Sequence, residues 1–322
     1  MLIQLPYPSR PKSKHIGLVG LLALFVLLGF MLSFSRVEDS NGKSSLLSPV
    51  MEEAQKGELS LLTYNVAGLP QLISSAETPR ASSIREIGRQ LNRFDLVNVQ
   101  EDFNYNRQLY ADNAHPYRTE TMGGVPFGDG LSTLSKYPIL ETERIAWEDC
   151  SGADCFTPKG FSYQRVQLAK DVFIDVYNVH ATAQDNAEAV AARRKNILQL
   201  TKYIQKKSAS QAILVMGDFN AHYAFSEDKL HDFQEQLGLS DSWVLLQNKG
   251  LLPKHIKDFK ALHALEVTEH CESIDKIFFR NSSRLQFQPS EYKIERDLFS
   301  TPEGTPLSDH CAVSMKMAWE LQ

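Results

Sequence analysis

Basic residues and cysteines are both scarce in this chain. Its 322 residues contain 34 Lys and Arg against 39 Asp and Glu, and residues 36–322 hold 31 of the basic and all 39 of the acidic residues. A surface that binds duplex nucleic acid tightly usually shows an excess of Lys and Arg. The composition therefore gives no support to such a surface, although it is compatible with a nuclease that relies on bound cations.

The four cysteines are too few and too widely spaced for a zinc cage, because only Cys150 and Cys155 form a close pair. The short loop between these two contains a glycine, which lets the two Cβ atoms approach bonding range. In an exported protein this spacing predicts a small disulfide ring. Cys271 and Cys311 could pair if their strand ends are adjacent, but two buried thiols are the preferred interpretation.

One long apolar run is present near the N-terminus. Residues 16–34 carry no charge, and this segment is long enough to cross a bilayer. Residues 1–15 contain basic residues but no acidic ones. This pattern predicts a basic cytoplasmic N-terminus, a transmembrane signal-anchor at 16–34, a linker over 35–57 and an extracytoplasmic domain over 58–322. The alternative is a signal peptide whose cleavage removes residues 1–35 and releases a secreted domain.

Apolar runs and their periodicity predict an alternation of strands and helices after residue 57. The sequence shows no internal repeat. The predicted strands are 58–65, 95–102, 130–135, 161–168, 172–179, 212–217, 273–279 and 311–319, and the predicted helices lie within 84–94, 186–207, 232–239 and 256–265.

The stretch Gly217-Asp-Phe-Asn220 follows a buried apolar strand. Period-two alternation places the side chains of Asp218 and Asn220 on the same side. A carboxylate and an amide in this position can ligate a hard cation or hold a phosphate oxygen. They can equally form a polar turn with no catalytic role, so this motif alone decides nothing.

Similar polar groups end several other predicted strands, which favours a functional site. Carboxylates, amides and histidines without thiolates suit a hard cation with oxygen ligands. Mg²⁺ is the predicted ion, with Mn²⁺ or Ca²⁺ as alternatives, and the histidines suit proton transfer near neutral pH. The set comprises Asn65, Glu101, His180, Asp218 with Asn220, Asp275, and Asp309 with His310.

These motifs occur in an order that resembles the endonuclease/exonuclease/phosphatase superfamily, which includes deoxyribonuclease I-like nucleases, inositol polyphosphate phosphatases and neutral sphingomyelinases. The resemblance covers roughly residues 58–320. It implies an α+β fold, a four-layer α/β/β/α sandwich of two packed mixed β-sheets flanked by helices. The motifs are Thr63-Tyr-Asn65, Val99-Gln-Glu101, Gly130 to Pro138, Asn178-Val-His180, Gly217-Asp-Phe-Asn220, Ser273-Ile-Asp275 and Ser308-Asp-His310.

The resemblance also implies roles around a bound cation. Glu101 would be the principal metal ligand, with Asn65 beside it. Asp218 would be a further metal ligand, and Asp309 would complete the metal shell through water. Asn220 would hold a phosphate oxygen or a second metal.

The remaining implied roles concern proton transfer. Asp218 would position or deprotonate the attacking water, and Asp275 would orient His310 and favour its charged form. His180 would contact the phosphate and could protonate the leaving oxygen. The implied reaction is in-line attack of water on a phosphodiester without a covalent enzyme intermediate.

The expected substrate is a membrane phospholipid headgroup, bound by a monomer that contacts the membrane through residues 16–34. Residues 177–184 and Lys159-Gly-Phe161 resemble the sphingomyelinase pattern. The long aromatic-tipped hairpin of bacterial sphingomyelinases is not evident, and Phe225, Trp243 and Phe299 are candidates to replace it. The alternatives are an extracellular endonuclease, a phosphatase of phosphoinositides or other phosphate esters, and a non-catalytic anchored binding protein.

Overall fold

Two mixed β-sheets organise residues 51–120 and 128–322, which are the residues described by the computed structural model. The strands are β1 (Lys56–Asn65), β2 (Leu96–Gln100), β3 (Tyr117–Arg118), β4 (Ser132–Ser135), β5 (Ile139–Ala146), β6 (Gly160–Ala169), β7 (Val172–His180), β8 (Ile213–Asp218), β9 (Ser240–Asp241), β10 (Asp275–Arg280), β11 (Leu285–Ile294) and β12 (Val313–Leu321). The first sheet has the order β11-β12-β1-β2-β4-β3 and the second β5-β6-β7-β8-β10-β9.

Helices cover the outer faces of both sheets. The described helices are α1 (Arg80–Leu91), α2 (Asn106–Ala111), α3 (Ala187–Lys207), α4 (Leu230–Leu237) and α5 (Ser242–Leu246), with 3₁₀ turns at Gly152–Phe156, Ser226–Asp228 and Ala264–Glu266. Ile84, Ile87 and Leu91 of α1 pack in one apolar cluster with β1 and β2. Because β1 and β2 also contact β7 and β8, the two sheets face each other between the helical layers. The predicted four-layer sandwich is confirmed.

Buried amide side chains join the two sheets. Asn98 of β2 donates from Nδ2 to the carbonyl of Tyr177 in β7 at 2.9 Å and to that of Met216 at 3.3 Å. In the opposite direction, Asn178 Nδ2 donates to the carbonyls of Val99 and Ser132, both at 3.0 Å. Each amide thereby satisfies polar groups of the other sheet inside a region closed to water. The facing sheets are consequently fixed in one alignment.

Most predicted elements are confirmed, and one helix is wrong. Residues 256–265 form no α-helix, because Asp258 has a φ of 57° and the Ile256 N–H donates outside the segment, to the carbonyl of Ala224 at 2.8 Å. Six elements were not predicted: the edge strand β5, the long strand β11, the short strands β3 and β9, and the short helices α2 and α5. Alternating apolar burial is weak in β5, and α2 is only 6 residues long.

The predicted localisation needs correction. No helix in residues 51–120 or 128–322 is both long enough and apolar enough to cross a membrane. The prediction of a membrane-anchored domain is wrong for this part of the chain. The segments 1–15 and 16–34, and most of the predicted linker 35–57, lie outside the described residues, whereas Lys56 and Gly57 belong to β1.

One buried arginine ties together distant parts of the chain. Arg80, the first residue of α1, is 0% exposed. Its guanidinium donates to the carbonyls of Val66 at 2.6 Å, Ala67 at 3.0 Å and Leu307 at 2.7 Å. The loop after β1 and the loop before β12 are therefore held against each other by a single side chain.

We predict that Arg80→Met lowers the free energy of unfolding by about 3 kcal/mol, because three buried carbonyls lose their donor. Arg85→Met is the matched control, since Arg85 lies on the same helix but is exposed and pairs only with Asp112. The control should change the stability far less, because the Arg85–Asp112 pair lies in solvent. Denaturant unfolding of both variants measures the difference, and equal stabilities would contradict the structural role of Arg80.

Candidate active site

The centre of the site is Asp218, the last residue of β8. Strand β8 pairs in parallel with β7 and antiparallel with β10, and the registers place His180 opposite Asp218 on one side and Asp275 opposite it on the other. Three residues far apart in sequence thus lie side by side at one end of the second sheet. We call the end of the sandwich at which they lie the site end.

The first sheet supplies Asn65 and Glu101 at the same end. Asn65 is the last residue of β1 and is in register with Gln100, the last residue of β2. Glu101 directly follows Gln100 and therefore lies next to Asn65. Asn65 Nδ2 donates to Glu101 Oε1 at 3.1 Å and to Asp218 Oδ2 at 3.2 Å. One buried amide therefore connects a carboxylate from each sheet.

Two glycines allow backbone segments to approach closely here. A Cβ on Gly217 would lie 2.0 Å from the carbonyl oxygen of Val179, and a Cβ on Gly68 would lie 2.0 Å from the carbonyl oxygen of Glu101. Both contacts are with backbone, which cannot move aside. Glycine at these positions is therefore required for the observed placement of Asp218 and Glu101.

His310 belongs to a carboxylate–imidazole pair. Its Nδ1 lies 2.9 Å from Asp275 Oδ2, and its Nε2 lies 3.8 Å from Asp218 Oδ2. Burial by itself would lower the pKa of His310, but the attraction of Asp275, followed by that of Asp218, outweighs burial and raises the pKa to about 10. The imidazole is therefore cationic at neutral pH.

His180 has the opposite character. It is 1% exposed, and its Nε2 lies 3.6 Å from Asp218 Oδ2 and 4.0 Å from Glu101 Oε1. Burial, followed by repulsion from Lys159 and His310, holds its pKa well below the usual value. The imidazole is therefore neutral, and at Nε2 it can donate or accept one hydrogen bond.

The carboxylates have the character of cation ligands. Burial is the largest cause of the raised pKa of Glu101, and it also raises the pKa of Asp218 to about 6. A bound divalent cation would offset this cost, and the two carboxylates converge on Asn65. The Asn65 oxygen accepts from the Ala67 N–H at 3.1 Å, so the amide must turn over to offer that oxygen to a cation. The residues fit a hard cation.

Acidic and imidazole atoms of Asp218, Asp275 and His310 lie within 4.8 Å of one another, the one such cluster found in the described residues. His310 is committed to Asp275 as a charged donor, so it is a poor metal ligand. The carboxylates of Asp218 and Glu101 are the better ligands.

Asn220 and Asp309 lie at the margin of this group. The Asn220 N–H donates to Asp218 Oδ1 at 2.9 Å, so the polar turn is formed, and its Nδ2 donates to the Ala181 carbonyl at 3.2 Å. Asp309 is half-buried, and its charge adds to the burial that raises the pKa of Glu101. All eight predicted site residues thus lie at the site end.

Lys159 is a site residue that the sequence prediction omitted. It is 9% exposed, and its charge lowers the pKa of Glu101 and of His180. Its Nζ pairs with Asp154 Oδ1 at 2.9 Å, and Asp154 Oδ2 accepts from the Ala183 N–H at 2.8 Å. The signal that could have identified it is the Lys159-Gly-Phe161 motif, in which Lys159 immediately precedes β6.

Asp154 lies inside the predicted disulfide ring, which is confirmed: Cys150 and Cys155 are bonded. Cys271 and Cys311 are free thiols as preferred, Cys311 buried and Cys271 half-buried. The ring therefore carries the carboxylate that holds Lys159 at the site.

Comparisons with known proteins agree with this geometry. Residues 70–273 match the model of Endonuclease/Exonuclease/phosphatase family 2. A protein of Mycobacterium tuberculosis named sphingomyelinase is 35% identical over 291 residues, which cover 88% of this chain and 57% of that protein. The chain thus spans little more than half the length of this relative.

Two solved structures share the fold at lower identity. Beta toxin of Staphylococcus aureus, a mutant with bound magnesium ions, has a TM-score of 0.56 and 17% identity, covering 80% of this chain and 99% of that one. TDP2 of D. rerio, in complex with a single-strand DNA product, has a TM-score of 0.59 and 17% identity, covering 81% and 99%. At these identities the likeness concerns the fold alone.

We predict that the two histidines titrate far apart in the metal-free protein. His310 should stay protonated through pH 8 and lose its proton near pH 10, whereas His180 should stay neutral at pH values at which a free imidazole is already protonated. Nitrogen chemical shifts of the two imidazoles measure both titrations by NMR. Asp275→Asn should lower the pKa of His310, because the main attraction is removed. A wild-type His310 that titrates near the usual value of about 6.5 would contradict this assignment.

Proposed function

The chain belongs to the endonuclease/exonuclease/phosphatase family, and from this premise we propose that it is a Mg²⁺-dependent phosphodiesterase that hydrolyses a membrane phospholipid headgroup, as a sphingomyelinase C does. The proposal rests on one observation: Nε2 of the cationic imidazole of His310 lies 3.8 Å from Oδ2 of the buried carboxylate of Asp218. Such a pair places a proton acceptor and a proton donor beside one phosphate group.

Asp218 is the proposed base. Its pKa of about 6 lets it be ionised at neutral pH while it remains basic enough to accept a proton from water. The Asn65 amide holds its Oδ2 in place, and the Asn220 N–H holds its Oδ1. The carboxylate therefore has a fixed orientation towards an attacking water.

His310 is the proposed proton donor for the leaving oxygen. The prediction gave this role to His180, but a depressed pKa keeps that imidazole neutral, and a neutral imidazole is too weak an acid to release its one ring proton at neutral pH. His310 is charged, and Asp275 both orients its ring and holds the charge. We assign to His180 a hydrogen bond from Nε2 to a phosphate oxygen, and to Lys159 the neutralisation of phosphate charge.

Glu101 and Asp218 would hold the cation, with Asn65, Asn220 and Asp309 nearby. When bound, Mg²⁺ supplies positive charge that stabilises the phosphorane-like transition state. Glu101 has a φ of 60°, a left-handed conformation that is uncommon for a residue with a side chain. This strained turn directs the carboxylate of Glu101 towards Asn65 and His180.

A lipid substrate is favoured over DNA by two observations. The mycobacterial relative is named a sphingomyelinase, and residues 36–322 are net acidic, so a polyanion is repelled at long range unless cations screen it. The zwitterionic headgroup of sphingomyelin carries no net charge and meets no such barrier.

We predict that the purified full chain releases phosphorylated headgroup from detergent-dispersed sphingomyelin much faster than it cuts plasmid DNA, phosphoinositides or a soluble phosphate monoester. Glu101→Gln, Asp218→Asn and His310→Gln should each reduce the rate by at least about a hundredfold while the fold is retained. Asp232→Asn is the control, since Asp232 is exposed on α4. Efficient DNA cleavage without release of headgroup would overturn the lipid assignment.

We further predict that EDTA abolishes activity and that Mg²⁺ restores it. The affinity for Mg²⁺ should fall as the pH drops below about 6, by up to about tenfold per pH unit for each proton displaced, because protonated Asp218 cannot ligate a cation. Calorimetric titration of Mg²⁺ at several pH values measures this, and proton release in two buffers checks it. Full activity in EDTA would disprove the metal requirement.

A further inference from the structure

Residues 249–263, which we call the docking segment, differ in composition from the rest of the chain. The whole chain has a formal net charge of −5, but this segment contains four lysines and a single acidic residue, Asp258. Four large apolar side chains alternate with the lysines. Leu251 is 66% exposed, Leu252 39%, Ile256 56% and Leu262 53%.

The apolar side chains of the docking segment are not part of the core. Their spacing predicted a helix with a buried face, but the segment is irregular, with Lys249 and Asp258 both at a φ of 57°. A folded protein rarely exposes several large apolar side chains together unless they contact a partner. The exposure therefore needs an explanation that the fold does not provide.

The lysines of the segment are equally uncommitted. Lys249, Lys254, Lys257 and Lys260 are exposed, and none of them forms an ion pair with another of the residues that the structure describes. By comparison, Lys136, Lys159, Lys195, Lys207 and Lys276 all pair with carboxylates. Four positive charges are thus free to interact outside the protein.

The docking segment contacts the loop that follows β8. The Ile256 N–H donates to the Ala224 carbonyl at 2.8 Å, and the ring of Phe259 lies 5.0 Å from that of His222. His222 is two residues after Asn220, so it lies within about 7 Å of that site residue. The docking segment is therefore held close to the site end.

Other exposed apolar residues lie on loops at the same end. Leu72 and Ile73 follow β1, which ends at Asn65, and Phe156 directly follows the disulfide ring and precedes β6. In the described part of the chain, seven of the eleven exposed large apolar side chains lie on these two loops and the docking segment. The apolar exposure is thus concentrated around the site rather than spread over the surface.

We propose that the docking segment binds the surface of a bilayer that contains anionic lipid. The lysines contact the headgroups, and Leu251, Leu252, Ile256 and Leu262 enter the boundary between headgroups and acyl chains. The inference deepens the proposed function, on which it rests for the identity of the molecule that enters the site. It names the surface that brings a lipid phosphodiester to Asp218.

The chemistry of the segment favours a bilayer over nucleic acid. Binding to nucleic acid uses lysines on phosphates and exposed aromatic rings on bases, and it gains nothing from leucine and isoleucine side chains between the lysines. The one Phe, Tyr or Trp side chain of the segment, Phe259, is half-buried against His222. Alternating cationic and aliphatic side chains match the two layers of a membrane interface instead.

The test compares two triple variants of the full chain. The basic variant carries Lys254→Ala, Lys257→Ala and Lys260→Ala, and the apolar variant carries Leu251→Ser, Ile256→Ser and Leu262→Ser. Binding is measured by flotation with phosphatidylcholine vesicles, with and without phosphatidylserine. Comparison with the unaltered chain cancels any contribution of other segments.

Matched controls change exposed residues away from the site end. The control for charge carries Lys170→Ala, Lys202→Ala and Lys206→Ala. The control for apolar exposure carries Leu140→Ser, Phe173→Ser and Leu198→Ser. Lys170 and Phe173 flank the turn between β6 and β7, at the end of β7 opposite His180. Both controls should bind vesicles as the unaltered chain does.

The basic variant should lose on the order of a hundredfold in binding to vesicles with phosphatidylserine, at about fivefold per lysine, and little in binding to phosphatidylcholine alone. The apolar variant should lose binding to both. Hydrolysis of detergent-dispersed sphingomyelin should be unchanged in either variant, because neither alters a residue of the site.

Three results would overturn the proposal. The first is that the basic and apolar variants bind vesicles as well as the unaltered chain does. The second is that the control variants lose as much vesicle binding as the test variants. The third is that the test variants lose DNA binding but keep vesicle binding. The proposed function is tested by a separate measurement, the hydrolysis of sphingomyelin in detergent. If the unaltered chain does not hydrolyse it, the substrate assignment is wrong, whatever the result of the vesicle-binding experiment. The two failures are therefore distinguishable.

Discussion

The site depends on amide side chains that connect two separate sheets. Asn98 and Asn178 each donate across the interface to backbone carbonyls of the other sheet, and Asn65 joins Glu101 to Asp218. Apolar packing between sheets tolerates small displacements, whereas hydrogen bonds to buried carbonyls have strict distances and directions. Because the two carboxylates come from different sheets, their separation is only as precise as the alignment of those sheets.

The two histidines show how neighbouring positions acquire different chemistry. His180 is buried, His310 is half-buried, and both lie within 4 Å of Asp218, yet His310 is cationic and His180 neutral. The difference comes from Asp275, which contacts His310 at 2.9 Å, whereas His180 Nδ1 has no partner among the described residues. Burial alone would make both neutral, so a single carboxylate decides which imidazole carries charge.

Local patterns in the sequence predicted the central strands and the polar residues at their ends, whereas the family resemblance implied the sandwich fold. Short apolar runs predicted the central strands, and polar residues at their ends predicted which side chains would meet, since His180, Asp218 and Asp275 follow from strand register. The elements that were missed lack such a pattern, as in β5, where exposed and half-buried residues alternate irregularly. Prediction of a helix at 256–265 failed because the apolar residues there are exposed.

The charge states and the supporting residues could not be read from the sequence. The pKa of His310 depends on distances to carboxylates from two other strands, and the role of Arg80 depends on carbonyls that any sequence would supply. The closing of the first sheet has a further consequence for synthesis. Strand β1 pairs with β12, and His310 lies just before β12, so both the partner of the first strand and a central imidazole follow the other strands in chain order. A nascent chain on the ribosome therefore cannot assemble the site until β12 has emerged.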